Sequence, residues 1–553
     1  MSKISANRMD GARKLGELFH DVRRRTAAAL DKALSLLRSL SKYHAHHGVT
    51  ERMARTRQVW PPRLGSLLVH VAYFLAISWC GYILLGDLKF RAPGGDGSRP
   101  RGIDLFFTAV SAATVSSMAV VEMEVFTNGQ LLVLTLLMFV GGEVFVSLMG
   151  LASKWSTLTK QATENSGRVE SHDVTELEMR PVADAVDIDK TSTSSISPVD
   201  AKRLRLNAVR SLFFIVLAIF LTVHGLGTAA IAAYVYSSPG PRRTLQGKAL
   251  NVWTFSLFTT VSTFSNCGFM PNNENMISFP RDTGLQLLLV PLVLVGNTLF
   301  APLLAACVHA AAAATRRPEL VVTASENGAE LTGYDHLLPV RRCVMLVATV
   351  AGFIAVQMAM MCGMEWGGAL PGMSPWEKLS NALFLAVNSR HTGESTVDLS
   401  TLAPAILVLF VLMMYLPPYT TWFPFEENSK VKDHLTESKG NRLLESTVFS
   451  QLSYLTIFTI AICITERTKL KEDPLNFNLL SIVVEVVSAY GNVGFSVGYS
   501  CSRQINPDHL CTDRWTGLVG RWSDSGKLIL ILVMLFGRLK KFSMNGGKAW
   551  KLS

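Results

Sequence analysis

Charged side chains are scarce in this sequence. Only 17% of its 553 residues are Asp, Glu, Lys or Arg, and 49% are hydrophobic, whereas about a quarter of an ordinary soluble chain is charged. Apolar blocks long enough to cross a bilayer alternate with polar stretches along almost the whole chain. This distribution excludes a disordered or fibrous protein and disfavours a soluble enzyme. It predicts a single all-α, multi-pass membrane domain surrounded by lipid.

Sequence motifs of catalysis and of cofactor binding are also missing. The chain contains no phosphate-binding Gly-Lys-Ser/Thr loop, no HExxH and no paired CxxC, so we expect neither an enzyme nor a bound cofactor. The cysteines give no disulfide framework, because most of them lie in apolar blocks. Cys501 and Cys511 lie in a polar segment and either pair outside the cell or stay free.

The positive charge of the chain is concentrated beside its apolar blocks. The net charge is +11, and basic residues dominate both the arm before residue 64 and the tail that begins at Arg538. Basic flanks of membrane spans remain in the cytosol. We therefore expect both termini to be cytosolic and the number of spans to be even, and we do not expect nucleic acid as a partner.

One pattern occurs four times: a long apolar span, a short apolar helix, a polar tip and a second span. A ten-residue helix is only about 15 Å long, so a short apolar helix between two spans is typical of a re-entrant pore helix. The pattern predicts eight transmembrane helices in four span–pore helix–span repeats around a central cation pore. Eight ordinary helices with unrelated loops are the alternative, but they do not account for the recurrence of the tips TVSSM (114–118), STFSNCGF (262–269), SRHTGES (389–395) and GNVGFS (491–496).

The predicted organisation begins with a basic cytosolic arm and continues through four repeats joined by cytosolic loops. The boundaries are the arm at 1–63, repeat A at 64–152, a loop at 153–206, repeat B at 207–315, a loop at 316–341, repeat C at 342–424, a loop at 425–445, and repeat D with its basic tail at 446–553.

The tips have the composition of an ion-selectivity filter. Rings of backbone carbonyls can replace the hydration shell of a cation, and glycine allows the backbone conformations that such a ring needs. The tips of repeats B, C and D offer Gly268, Gly393 and Gly494, whereas repeat A has Ser117 in the same place. The flanking residues expected to add carbonyls are Val115, Ser116, Ser265, Asn266, Cys267, Thr392, Asn492 and Val493.

The four tips resemble, in order, those of the plant HKT transporters in the Trk/Ktr/HKT superfamily. The segments GGEVF (141–145), LMMYLPPYTTWFPFEEN (412–428) and FGRLKKFSM (536–544) are similar to that family too, and the resemblance covers about residues 64–553. It is greatest to the cereal members of class I, which have Ser in the first filter. The resemblance implies passive Na⁺ transport across the plasma membrane, Na⁺ retrieval and salt tolerance, a homodimer of four-repeat subunits, and a gating loop around 413–421.

Several alternatives remain open at this stage. A Na⁺/K⁺ cotransporter or K⁺-permeable transporter has the same fold, and a carrier of organic solutes would more often show inverted repeats. Arg538 is either a charged barrier below the filter, as the resemblance implies, or part of a cytosolic anchor. For Glu143 and Glu485 we expect structural roles. Arg390 and His391 are predicted to face the outer vestibule.

Overall fold

The computed structural model describes residues 62–91, 99–170, 198–421, 451–505, 511, 513 and 517–543. The chain divides into two compact units, residues 1–72 and 73–553. In the first unit the described residues, 62–72, form the beginning of the helix Pro62–Asp87. The predicted arm before residue 62 and the predicted loop at 425–445 lie outside the described residues.

Long apolar helices dominate the second unit. Three helical segments of the described chain are long and apolar enough to cross a membrane: Leu68–Asp87, Ala201–Ser237 and Val340–Glu365. Counting each bent pair of helices as one span raises the number to five, with bends of 55° in Asn128–Gly141 plus Glu143–Thr163 and 77° in Thr283–Val295 plus Phe300–Thr315. The protein is therefore an all-α, multi-pass membrane protein, and the count of eight spans stays a prediction.

The described residues form further helices between and after these spans. Two of them, Pro404–Tyr415 and Gln451–Thr465, are short apolar helices, and the last described helix, Asp524–Ser543, contains the apolar run at 528–537. The full bounds beyond the spans above are Glu143–Glu170, Pro198–Ser237, Pro239–Gly247, Pro318–Ala324, Gly328–Thr332, Pro404–Tyr415, Gln451–Thr465, Arg467–Glu472 and Asp524–Ser543.

Four short helices lie where the sequence predicts pore helices. We name them pore helix A (Gly102–Ala113), B (Val252–Phe264), C (Pro375–Asn388) and D (Leu479–Gly491). Their beginnings are marked by capping side chains in three cases: Asn251 accepts from the amide of Trp253 at 2.9 Å, Asn478 accepts from that of Ser481 at 2.8 Å, and Ser374 forms a capping box with Glu377. The C-terminal half of each pore helix is buried on nearly every side, which explains why these halves are mostly apolar.

Glycines of the second spans press against the ends of the pore helices. At Gly141, Gly296 and Gly537 an added methyl group would overlap a backbone carbonyl oxygen, so backbone touches backbone. The carbonyl belongs in each case to the pore helix of the same repeat, at Ala113, Phe264 and Tyr490 respectively. The same close contact therefore sets the depth of pore helices A, B and D.

A disulfide bond closes the segment that follows the fourth tip. Cys501 and Cys511 are bonded to each other, and the amide of Cys501 also donates to Asp513 at 2.7 Å. Of the two alternatives left open by the sequence, the structure contains the paired form. A disulfide is typical of the oxidising side of a membrane, which agrees with an outer location for this loop.

Candidate functional site

The four tips meet and form a closed ring. A methyl group added to Gly268 would overlap the carbonyl of Thr392 and lie 3.5 Å from the hydroxyl oxygen of Ser117. One added to Gly393 would lie 2.6 Å from the carbonyl carbon of Gly494, and one added to Gly494 would lie 3.0 Å from the hydroxyl of Ser117. Each tip therefore contacts the next in the order A, B, C, D, and the fourth returns to the first.

Left-handed backbone explains the choice of glycine at three places in this ring. The φ angles are 92° at Gly268, 68° at Gly393 and 99° at Gly494, which glycine adopts without a steric penalty. Ser117 has a φ of 52°, a conformation that costs a residue with a side chain about 1 kcal/mol. In repeat A a strained backbone conformation therefore accompanies the hydroxymethyl group at the ring.

Hydrogen bonds to the pore helices orient the peptide groups of the tips. The amide of the residue before the filter position donates to a pore-helix carbonyl five residues earlier in repeats A, B and D, from Ser116, Cys267 and Val493 at 2.8, 2.9 and 3.0 Å. The amides of Gly268 and Gly494 donate to serine hydroxyls of the same helices at 3.1 and 3.0 Å. Because N–H and C=O point in opposite directions across a trans peptide, the preceding carbonyls point away from their own pore helix.

The third tip follows a different register. Here the amide of Gly393 donates to the carbonyl of Asn388 at 3.1 Å, and that of Glu394 donates to the Asn388 side chain at 3.3 Å. The bonding pattern is therefore displaced by one residue relative to the other repeats. The carbonyl of Thr392, which precedes the Gly393 amide, lies against Gly268 of the neighbouring repeat.

Two buried carboxylates support the ring from behind. Glu394 accepts a hydrogen bond from Thr263 of pore helix B at 2.6 Å. Glu485 of pore helix D accepts from the hydroxyl of Ser496 at 2.6 Å and from the amide of Val497 at 3.1 Å. Both carboxylates are fully buried. The structural role expected for Glu485 agrees with these contacts, whereas sequence reasoning missed Glu394, although its place directly after Gly393 was a usable signal.

The side chains of Arg390 and His391 lie at the inner end of the third tip. Arg390 donates to the carbonyls of Pro417 at 2.5 Å and Pro418 at 3.2 Å, just past the end of the second span of repeat C. His391 contacts the hydroxyl of Thr298 at 2.8 Å, in the bend of repeat B. The prediction that both residues face the outer vestibule was wrong, because the turn after a re-entrant helix is its deepest point rather than its rim.

Arg538 is enclosed by protein. It is 1% exposed, its guanidinium lies over the ring of Phe74 with 5.8 Å to the centroid, and it donates to the carbonyl of Gly141 at the bend of repeat A. Nearby, a cavity of about 60 Å³ is lined by Glu143, Arg390 and Lys540 among others. This enclosed position disfavours the cytosolic-anchor alternative for Arg538.

An ion-pair cluster joins the loops of repeats A and B on the opposite side of the ring. Lys248 contacts Glu124 and Glu274, each at 2.5 Å. Partial burial would lower the pKa of Lys248, but its hydrogen bonds to the two carboxylates raise it above the ordinary value. Partial burial would raise the pKa of Glu274, but the bond from Lys248 brings it below the ordinary value.

Comparison with known proteins agrees with this geometry. The family model described as "Cation transport protein" matches residues 192–545. The chain is 73% identical over 493 residues to the probable cation transporter HKT1;4 of Oryza sativa subsp. japonica, covering 88% of this chain and 98% of the relative. It is 44% identical over 467 residues to the sodium transporter HKT1 of Arabidopsis thaliana, covering 82% and 90%.

The chain belongs to the HKT group of the TrkH cation transport family. A further relative, the rice cation transporter HKT1;3, is 44% identical over 492 residues, covering 88% of this chain and 91% of that protein. The crystal structure of the potassium transporter TrkH from Vibrio parahaemolyticus matches 88% of this chain and 84% of that chain, at 15% identity and a TM-score of 0.46. The family model and the identities to the plant relatives confirm the family predicted from the four tips.

As an HKT family member, the protein is a multi-pass cation transporter, and its relatives are transporters rather than enzymes. In the part of the chain that the structure describes, no group of three or more His, Cys, Asp and Glu residues is arranged to hold a metal ion. The ring is built from backbone and hydroxyl groups instead.

Proposed function

We propose that this protein conducts Na⁺ passively through the ring formed by Ser117, Gly268, Gly393 and Gly494. The observation that carries the proposal is the closure of the ring with a serine in one quarter and glycine in the other three. Peptide carbonyls of the flanking residues point away from the pore helices and are available to replace the water around a cation. A relative that is 44% identical is named a sodium transporter, which supports Na⁺ as the ion.

Ser117 provides the reason for preferring Na⁺ to K⁺. Its hydroxyl lies near two neighbouring tips, so it narrows one quarter of the ring and adds an oxygen ligand there. The smaller Na⁺ ion fits such an asymmetric site, and K⁺ is penalised. A tenfold preference requires only about 1.4 kcal/mol, which is within the range of one side chain at a coordination ring.

Arg538 is proposed to act as a barrier to ions that leave the filter. A buried positive charge repels a cation along the inner path and is weakly screened there. The gating segment around 413–421 includes Pro417 and Pro418, to which Arg390 donates. This bond ties the segment to the third tip and gives a route by which its movement would reach the filter.

The cellular setting follows from the same proposal. We infer location in the plasma membrane with eight spans and both termini in the cytosol, a homodimer in which each subunit has its own pore, and a role in Na⁺ retrieval and salt tolerance in a plant. The four-repeat boundaries given above belong to this proposal. No cofactor is required, because the ion gradient drives transport.

Whole-cell recording with Na⁺ and K⁺ exchanged outside the cell tests the proposed function. We expect the reversal potential to follow external Na⁺ and to ignore external K⁺. A Na⁺/K⁺ cotransporter of the same fold would instead show a reversal potential that depends on both ions. A current carried mainly by K⁺ would contradict the proposal while leaving the family assignment intact.

A further inference from the structure

Asparagine stands two positions before the filter glycine in repeats B and D. Asn266 and Asn492 both have left-handed backbone, with φ of 58° and 50°, a conformation that asparagine tolerates better than most residues. Both are buried, at 5% and 1% exposure. Their backbone carbonyls belong to the flanking set predicted from the sequence, but the side chains have contacts of their own.

The two side-chain amides make the same contacts in both repeats. Nδ2 of Asn266 donates to the carbonyl of Val293 at 3.1 Å, and Nδ2 of Asn492 donates to that of Met534 at 3.2 Å. Each amide also donates to the backbone carbonyl three residues earlier, at 3.1 and 3.3 Å. Since all four partners are carbonyl oxygens, which only accept, the NH₂ end of each asparagine side chain faces them rather than its Oδ1.

The acceptors in the second spans occupy equivalent places. Val293 and Met534 each precede by three residues a glycine that presses against a pore-helix end, Gly296 in repeat B and Gly537 in repeat D. The hydrogen bond from the asparagine side chain and the glycine contact therefore join the same two pieces of backbone, the end of the pore helix with its tip and the second span. Together they hold the tip at a defined distance from the span.

Among the described residues, repeats A and C have no such hydrogen bond from a side-chain amide of the tip to the second span. The residue two positions before the filter position is Val115 in repeat A, which has no side-chain donor, and His391 in repeat C, which contacts Thr298 of repeat B. Because the tips follow the order A, B, C, D, repeats B and D lie opposite each other in the ring. The pair of asparagines thus fixes two opposing quarters of the ring.

Asn492 has one additional contact that reaches the neighbouring repeat. Its Nδ2 lies 2.8 Å from the hydroxyl of Ser116, the residue before Ser117, so its two hydrogens are shared among three acceptors. The fourth tip is thereby tied to the first tip beside the serine of the ring. Asn492 acts at two places, whereas Asn266 acts at one.

We propose that Asn266 and Asn492 are positioning residues for ion selectivity, whose side-chain amides set the spacing of opposing filter carbonyls. The inference rests on the proposed function, since it concerns selectivity of the same ring. It assigns to these residues an effect through the geometry of the filter rather than contact with the ion. The larger effect belongs to Asn492, because its amide also holds the residue next to Ser117.

The test uses glycine substitutions in the full-length protein expressed for whole-cell recording. Glycine adopts left-handed backbone freely, so Asn266→Gly and Asn492→Gly remove the amide without adding strain. We expect Asn492→Gly to lower the Na⁺/K⁺ permeability ratio about tenfold, which equals about 1.4 kcal/mol, and Asn266→Gly to lower it less. Reversal potential is the readout, since a lower number of channels at the surface does not change it.

Matched controls come from the outer ends of the same two pore helices. Asn251→Gly and Asn478→Gly remove asparagines that cap pore helices B and D, and replacing a cap by glycine costs only a few tenths of a kcal/mol. These variants should keep the wild-type reversal potential. An unchanged permeability ratio in Asn492→Gly at normal surface expression would overturn the proposal.

Loss of surface expression in both filter variants, with normal expression of both cap variants, would also overturn it and assign the asparagines to folding alone. The wild-type recording separates this inference from the proposed function. A wild type without Na⁺ selectivity refutes the proposed function itself. A selective wild type with equally selective glycine variants refutes only the role of the asparagines.

Discussion

Thr263 and Glu394 are joined by a buried hydrogen bond of 2.6 Å between hydroxyl and carboxylate, and the bond crosses from repeat B to repeat C. A carboxylate in the protein interior depends on its donors, because burial without them is costly. The bond thus stabilises one boundary of the ring and holds the third tip beside the second pore helix. Because Glu394 directly follows Gly393 in the sequence, we expect loss of this bond to disturb the geometry of the filter.

We expect Thr263→Val to destabilise the protein by about 1–3 kcal/mol, because valine keeps the shape of threonine but leaves a buried carboxylate with one fewer donor. Adding Glu394→Gln should recover part of this loss, since a neutral amide is less costly to bury. The measurement is the melting temperature of the detergent-solubilised protein. Thr260→Val is the control, as its hydroxyl donates only to a carbonyl of the same helix, at 2.8 Å. An equal fall in melting temperature for Thr263→Val and Thr260→Val would show that the hydrogen bond between Thr263 and Glu394 adds no particular stability.

Ser117→Gly should raise K⁺ permeability relative to Na⁺ by about tenfold, equal to about 1.4 kcal/mol, with Na⁺ conduction retained. Glycine removes the hydroxyl from the ring and also relieves backbone strain of about 1 kcal/mol at the left-handed position, so surface expression should not fall. Reversal potentials in mixed Na⁺ and K⁺ solutions give the ratio. The reciprocal change Gly268→Ser should abolish conduction instead, because a side chain there would overlap the carbonyl of Thr392. A reversal potential of Ser117→Gly that still ignores external K⁺ would rule out this account of selectivity.

Arg538→Gln should change current amplitude or rectification and leave the Na⁺ preference nearly intact. A charge below the filter alters the height of the barrier to exit, whereas selectivity depends on the ligands of the ring. Current–voltage curves at equal surface expression provide the measurement. Lys541→Gln, in the same basic run of the sequence, is the matched control and should behave as wild type. Current–voltage curves of Arg538→Gln that match those of the wild type would show that Arg538 has only a structural role.

Lys248→Met should make the stability of the protein less dependent on pH in the acid range. The bond from Lys248 lowers the pKa of Glu274 below its ordinary 4.5, so the stabilisation it provides is complete above about pH 4.5 and is lost as the pH falls through the lowered pKa. Lys248, whose pKa is raised above 10.5, stays charged over this range. Melting temperatures of the solubilised protein between pH 7 and 3 measure the effect. An equally steep acid loss in Lys248→Met would show that the cluster does not contribute.

Prediction from the sequence succeeded where local pattern determines structure. The short apolar runs before the tips predict short helices, which the structure has at all four places, and the recurrence of the tips indicated the ring that Ser117 and Gly494 help to close. It failed where depth in the membrane depends on how the chain turns. Arg390 is a charged residue in a polar tip, so an outer position was a natural expectation, yet it binds carbonyls past the end of a span.

Side-chain contacts between distant segments were also beyond the reach of the sequence. The sequence predicts only that Asn266 adds a backbone carbonyl beside the filter, and its spatial neighbours are needed to identify Val293 as the acceptor of its side-chain amide. Glu485 was recognised as an ionisable residue in apolar surroundings, but its partners Ser496 and Val497 depend on the path of the chain after the fourth tip. Such contacts can be identified only from the three-dimensional arrangement of the four tips and their spans.

The glycine contacts between second spans and pore helices have a mechanical consequence. At Gly141, Gly296 and Gly537 no side chain separates the two backbones, so there is no flexible layer to absorb a displacement. A shift of a second span toward its pore helix would therefore displace the pore helix that carries the tip. We therefore expect a movement of the second spans to change the width of the filter even when nothing contacts the filter itself.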